Sequence, residues 1–313
     1  MANSVKKYAS ELPDFADLLK SAAPWKRIPA AIVEKDYYLT RALRALTETH
    51  GGQFVLKGDT SLSKGWQLLQ RFSEDIDLLL KEETNSGKTA RHTCLKKCAA
   101  TIEQTGGFIE TKVINSETGI HRTTSHTYSS VATDLPGSSK TVILEAGYRG
   151  NTAGAEVRQI QSMVAEYAAA HGHTQLAADL SAFKIEVQSL RRTFVEKLFA
   201  AHAAYTENFK TPGKARHYYD LHEMCKRPEV KEFAGSSAYR ECVAEVRKFS
   251  QETFRGQALP VSDSFAKAPT FQPDSEGLKA LERNYKADAD LFFTGQPPMG
   301  DVLKTIGELL PKL

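Results

Sequence analysis

Residues 54–80 read FVLKGDTSLSKGWQLLQRFSEDIDLLL. An apolar run ends in a Gly-Asp turn, the amphipathic segment SLSKGWQLLQ follows, and a second apolar run opens on Asp75-Ile76-Asp77. FVLK has the brevity and composition of a strand, and Ile76 to Leu80 suggests another, so the stretch reads as strand, turn, helix, strand. Alternation in the second strand sends Asp75 and Asp77 to one face while Ile76 and Leu78 point to the other. At ~3.3 Å rise per residue the two carboxylates stand about 6–7 Å apart. From there both can reach a divalent ion or bridge a pair of ions, and Mg²⁺ accepts such hard oxygen ligands while keeping water and substrate phosphates in its shell. A solvated acidic edge strand is spelled the same way. The apolar residues on both sides instead imply partial burial, where like charges cost stability unless a cation neutralises them.

Gly58 lets the backbone turn tightly. Thr60, Ser61 and Ser63 place hydroxyls and free backbone donors at the start of the next helix, a location suited to phosphate. The Walker pattern G-x-x-x-x-G-K-[ST] is absent, which disfavours an ordinary P-loop ATPase. Glu145, late in TVILEAGY (residues 141–148), is a third acid. In a mixed sheet it could approach Asp75 and Asp77 from a neighbouring strand, or it could simply face water at a strand end.

Beyond this stretch, AAIVEKDYYLTRALRALTET (30–49) repeats its apolar residues at helical spacing, and Gly51-Gly52 stops it. RHTCLKKCAATIEQTG (91–106) reads as a helix. FIETKVI, HTYSSVA and TVILEAGY read as strands separated by turn material at NSETG and DLPGSSK. A linking region over 165–182 leads into helices at about 191–208, from Ala215, within 232–254, within 276–293 and over 301–313. The expected class is α+β, a mixed β-sheet core with a largely helical C-terminal region. The expected organisation is an N-terminal helical segment (1–50) packed on a core (51–165), with a helical domain (166–313) completing a cleft.

Lys plus Arg number 41 against 38 for Asp plus Glu, a net charge of +3 that identifies no nucleic-acid partner by itself. The four cysteines form neither a zinc spacing nor a disulfide framework. With no signal-like start and no window near the roughly 18–20 apolar residues of a membrane span, a reducing cytoplasmic location is expected, without membrane contact.

Four ordered blocks, KGDTSLSKGW, RFSEDIDLLL, RRTFVEKLFA (191–200) and KARHYYDLHEM (214–224), closely resemble the AbiEii/AbiGii toxin family of nucleotidyltransferases, in the DNA polymerase beta-like superfamily. The resemblance implies a nucleotidyltransferase core in which Gly58, Thr60 and Ser61 form the nucleotide-proximal turn and Ser73 precedes the acidic pair. It assigns Asp75 and Asp77 to metal, with Glu145 as a third ligand. Lys197 matches the family's downstream lysine, suited to a triphosphate, and Asp220 the aspartate of its Tyr-Asp-Leu motif. The implied reaction is transfer of NMP from an NTP donor, with two Mg²⁺ ions, to an acceptor such as a tRNA 3′ end, in a toxin paired with a cognate antitoxin or in phage defence. The family turn usually reads Gly-Gly or Gly-Ser before Thr, whereas this chain has Gly58-Asp59-Thr60. Asp59 keeps a noncatalytic RNA-binding or interaction protein of the same fold in view. The same catalytic unit acting on a protein or small molecule is the nearer alternative.

Overall fold

The computed structural model describes residues 7–82, 87–134, 139–173, 176–253 and 264–313. Parts of KEETNSGKTA (81–90), of the turn material DLPGSSK and of the segment 260–276 lie outside the described residues. The chain forms two compact units, one of residues 1–67 and 72–188, the other of Leu68–Arg71 and Ser189–Leu313.

The first unit is built on a mixed sheet. Among the described residues its strands are β1 (Phe54–Lys57), β2 (Asp75–Leu80), β3 (Phe108–Glu117), β4 (His121–Tyr128), β5 (Thr141–Gly147), β6 (Glu156–Ile160) and β7 (Phe183–Val187), in the order β3-β4-β5-β2-β1-β7-β6. β2 lies antiparallel to β1 and parallel to β5, and β1 is parallel to β7. One face is apolar, with Leu56, Ile76, Leu78, Val142, Leu144 and Ala146 all buried.

Helices α1 (Phe15–Lys26), α2 (Ala30–His50), α3 (Gly58–Thr60), α4 (Lys88–Glu103) and α5 (Met163–Ala170) complete the unit. α2 reaches the apolar face, where the Tyr38 ring stacks on Tyr128 of β4 with centroids 4.2 Å apart. Ile32, Leu39, Leu43 and Leu46 are buried, as their spacing requires. The same helix also buries charges, which find partners outside it. Glu34 accepts from the Val131 N–H at 2.7 Å and Asp36 from the Met163 N–H at 2.7 Å, while Lys64 pairs with Asp36 at 2.6 Å. Such carboxylates supply partners to backbone donors that would otherwise be orphaned.

Several local readings differ from the structure. The helix after Gly58 does not run through SLSKGWQLLQ. α3 passes into a single π turn, Ser61–Gly65, closed by the Trp66 N–H on the Ser61 carbonyl at 2.9 Å, and the chain then leaves helical geometry with Gln67 at φ 51°. β4 begins at His121 rather than 126, because its whole length from His121 pairs with β5. β6 and β7 are not among the expected strands, β7 lying between the linking region 165–182 and the helix at about 191; they pair with each other, and β7 with β1 through Leu56 and Val187.

The second unit is helical, comprising α6 (Leu190–Thr206), α7 (Arg216–Cys225), α8 (Pro228–Phe233), α9 (Ser237–Thr253), α10 (Ser275–Lys286) and α11 (Met299–Gly307). The stretch read as one helix within 232–254 is interrupted at Gly235, whose φ of 80° suits glycine and ends α8 from α9. Among the described residues no helix is long and apolar enough to cross a membrane.

Leu68–Arg71, lying in sequence between the two strands of the opening stretch, is bound into this helical unit. The Gln70 N–H donates to the Tyr219 hydroxyl at 2.9 Å, and the Gln70 carbonyl accepts from Phe293 N–H at 2.9 Å. Arg71 and Asp220, both fully buried, form a bidentate pair with Nε and Nη2 donating at 2.9 and 2.8 Å. Asp220 also pairs with the Lys197 ammonium at 2.7 Å, so removing Arg71 takes away two buried charge-assisted hydrogen bonds without leaving the carboxylate unpaired. Arg71→Met is therefore expected to destabilise the protein by about 1–3 kcal/mol, read as a lower urea midpoint; an unchanged midpoint would show that the pair adds nothing to folding.

Candidate functional site

In the first unit, β-sheet register gathers the acids. Lys57 of β1 and Glu145 of β5 are the direct neighbours of Asp77, one on each side. Asp75 lies two residues along β2, opposite Ile143, so Asp75, Asp77, Glu145 and Lys57 share one face. That face is polar where the opposite one is apolar: Glu145 is exposed between the buried Leu144 and Ala146, and Asp75 and Asp77 are half-buried on either side of the buried Ile76.

Burial, together with the negative charges of Glu145, Asp59 and Asp75, pushes the Asp77 carboxyl from its ordinary 3.8 up to about 7, against the opposing pull of Lys57. Part of Asp77 still reaches solvent, so its enclosure is by packing around the carboxyl rather than by complete removal from water. Asp59 thus belongs to the acidic group, and the departure in the Gly-Asp-Thr turn adds negative charge next to Asp77.

Gly58 is required by this arrangement. Its φ is 68°, and a Cβ there would overlap Oδ2 of Asp77 and lie 2.9 Å from Cγ. The turn can pass over the carboxylate only because the side chain is missing. The hydroxyls are committed to holding the turn. Thr60 Oγ1 meets Ser73 Oγ at 2.7 Å and donates to the Asp75 carbonyl, and Ser61 Oγ donates to the Gly58 carbonyl at 2.8 Å. Thr60, Ser61 and Ser73 are all buried, so these side chains pin the turn to β2.

In the second unit, α6 and α7 place Lys197 and Asp220 together. The Lys197 ammonium donates to Asp220 Oδ2 at 2.7 Å and lies 3.2 Å from His217 Nδ1. Asp220 therefore holds two cations, Lys197 and Arg71. A lysine suited to a triphosphate is expected at an accessible helix margin. Lys197 is instead buried, on a side of α6 that also buries Phe194, Leu198 and Ala201. Arg192 is buried as well and pairs with Glu196 at 3.0 Å and Glu245 at 2.7 Å.

The sequence pattern of the family described as nucleotidyl transferase AbiEii toxin, type IV toxin–antitoxin system, matches residues 41–310. The chain belongs to this family. The structure of MenT4, a nucleotidyltransferase toxin from Mycobacterium tuberculosis H37Rv, superposes with a TM-score of 0.61 at 17% identity, covering 95% of this chain and 89% of that one. At that identity the likeness is one of fold. No curated protein sequence matches the chain.

Three residues of this AbiEii-family chain escaped the sequence reading: Lys57, Asp59 as a member of the acidic group, and Arg71. Lys57 could have been found from strand pairing, since a hairpin-like register sets it opposite Asp77. Arg71 carried a signal in its setting, a lone cation between Leu69 and Phe72, both buried; a charge in such a run calls for a buried partner.

The raised carboxyl has a stability consequence of definite sign. Below the ordinary carboxylate range, Asp77 is protonated in both folded and unfolded chains. As pH rises from 3.8 toward about 7 the unfolded chain releases the proton first, so the folded state loses stability across that window. In the absence of divalent cations, Asp77→Asn is expected to melt several degrees above the parent at pH ~8, with the gap closing toward pH ~4. Scanning calorimetry over that range checks it, and equal midpoints at the alkaline end would refute the penalty.

Proposed function

We propose that this AbiEii-family protein transfers an NMP from an NTP to an RNA acceptor, such as a tRNA 3′ end, with Mg²⁺ held by Asp75, Asp77 and Glu145. The register of β1, β2 and β5 carries the reading: three carboxylates share one face of adjacent central strands, with Lys57 as the only cation directly paired in that register. The donor set fits a hard cation, being all carboxylate oxygen with no thiol or imidazole on those strand positions. When bound, such ions align the donor phosphates, strengthen the attacking oxygen and neutralise the pyrophosphate leaving group.

The chain's own residues would prepare this chemistry. Gly58 lets the turn approach Asp77, and Thr60, Ser61 and Ser73 fix that turn with their hydroxyls, leaving backbone N–H groups for phosphate oxygens. Lys197 would neutralise a phosphate of the nucleotide. Asp220 is its positioning residue, holding the ammonium while Arg71 holds Asp220. Family membership extends the proposal to a cognate antitoxin and a toxin's action in the cytoplasm.

The test incubates purified protein with Mg²⁺, each labelled NTP in turn, and total tRNA. Label is expected in RNA, abolished by EDTA and by Asp75→Ala/Asp77→Ala. Lys197→Met should slow transfer by about 10², with Lys197→Arg recovering part of the rate. Label appearing only on protein or on a small molecule would replace the acceptor. RNA binding with no transfer from any NTP would sink the enzymatic reading.

A further inference from the structure

A cavity of about 490 Å³ opens in the second unit beside the last turn of α6 and the first turns of α10. Its size lies within the roughly 300–1,000 Å³ of small-ligand sites. Tyr205 and Phe209 supply an aromatic wall, their rings edge to face with centroids 6.2 Å apart. Asn208, between them in sequence, is exposed.

Two features set the shape of this rim. Asn208 and Phe209 both have left-handed backbones, with φ of 51° and 50°. They close the C-terminal end of α6, with the Phe209 N–H on the Ala204 carbonyl at 2.8 Å, and so place Phe209 in the cavity lining. Gly277 of α10 makes room for Tyr205: a Cβ there would overlap the Tyr205 hydroxyl and lie 2.9 Å from Cζ.

The charges lining the cavity are sorted along α10. Asp274 and Glu276 stand at its start, and Lys279 and Arg283 follow at successive turns. Asp274 Oδ1 accepts from the Gly277 N–H at 2.8 Å. Lys279 and Arg283 are four residues apart, hence on one side of the helix, and among the described residues neither has a carboxylate partner.

We infer that this cavity binds one unpaired nucleotide of a single-stranded RNA. The aromatic wall offers a base its face, and the Asn208 amide can donate and accept at a base edge. Lys279 and Arg283 take the phosphate, while the carboxylates at the start of α10 accept from ribose hydroxyls, favouring RNA over DNA. The inference deepens the RNA-acceptor reading and rests on it. It also predicts that the acceptor presents an unstacked base rather than a continuous duplex.

Fluorescence anisotropy with a labelled single-stranded oligoribonucleotide tests it, using the full chain in EDTA so that binding is measured apart from transfer. Single-stranded RNA should bind more tightly than duplex RNA or single-stranded DNA. Tyr205→Ala should weaken binding about tenfold, while Tyr205→Phe should largely preserve it. Arg283→Gln should weaken binding and reduce the salt slope by about one, and the exposed Lys304→Gln, away from the cavity lining, should leave both unchanged. Asp75→Ala/Asp77→Ala should still bind RNA, so failure of catalysis and failure of this site give different results. The inference is overturned if RNA does not bind, if duplex binds equally well, if Tyr205→Ala and Arg283→Gln bind like the parent, or if Lys304→Gln weakens binding as much as Arg283→Gln.

Discussion

Like charges on neighbouring central strands are the constraint to which the first unit is built. Asp75, Asp77 and Glu145 repel one another, yet the strands that carry them are locked by backbone pairing on both sides of β2. A one-residue slip of β2 would bring Ile76 and Leu78 to the polar face and send the acids into the apolar one. The cost of unpaired carboxylate in that apolar layer exceeds the cost of mutual repulsion on the polar face, so the register is fixed with the acids together. Lys57 relieves part of the repulsion, and Asp59 adds to it.

The turn between β1 and β2 answers the same constraint. Gly58 has no side chain to collide with Asp77, and Thr60 ties the turn to the Asp75 carbonyl and Ser73. Residues that look in sequence like ligands for phosphate thus spend their side-chain hydrogen bonds on geometry. The turn they fix is thereby held against β2.

The second unit solves a different electrostatic problem. Asp220 is wholly buried, and two cations, Arg71 and Lys197, stand on it. Arg71 gives planar, bidentate recognition and Lys197 a single strong donor, a division that follows from their head groups. Buried ion groups of this kind are weak contributors to net stability but strict about which residues can occupy the positions. That strictness explains why RFSEDID and YYDL read as linked blocks: the first contributes Arg71 to the unit in which the second supplies Asp220.

The sequence by itself determined the strand identity of FVLK and DIDLLL, the common face of Asp75 and Asp77, the long helix α2 and the helical character of the second half. Each of these follows from a periodicity of local backbone geometry, two residues in a strand and 3.6 in a helix. The register that sets Glu145 and Lys57 beside Asp77, the pairing of β6 and β7, and the burial of Lys197 were decided only by tertiary structure. They depend on partners distant in the chain: EVRQI and FKIEV lack the strong apolar signature of central strands and become ordered through each other, and Arg71 finds Asp220 across 149 positions of sequence. Local sequence sets which way a side chain points from its own element; which groups it meets there depends on how distant elements pack.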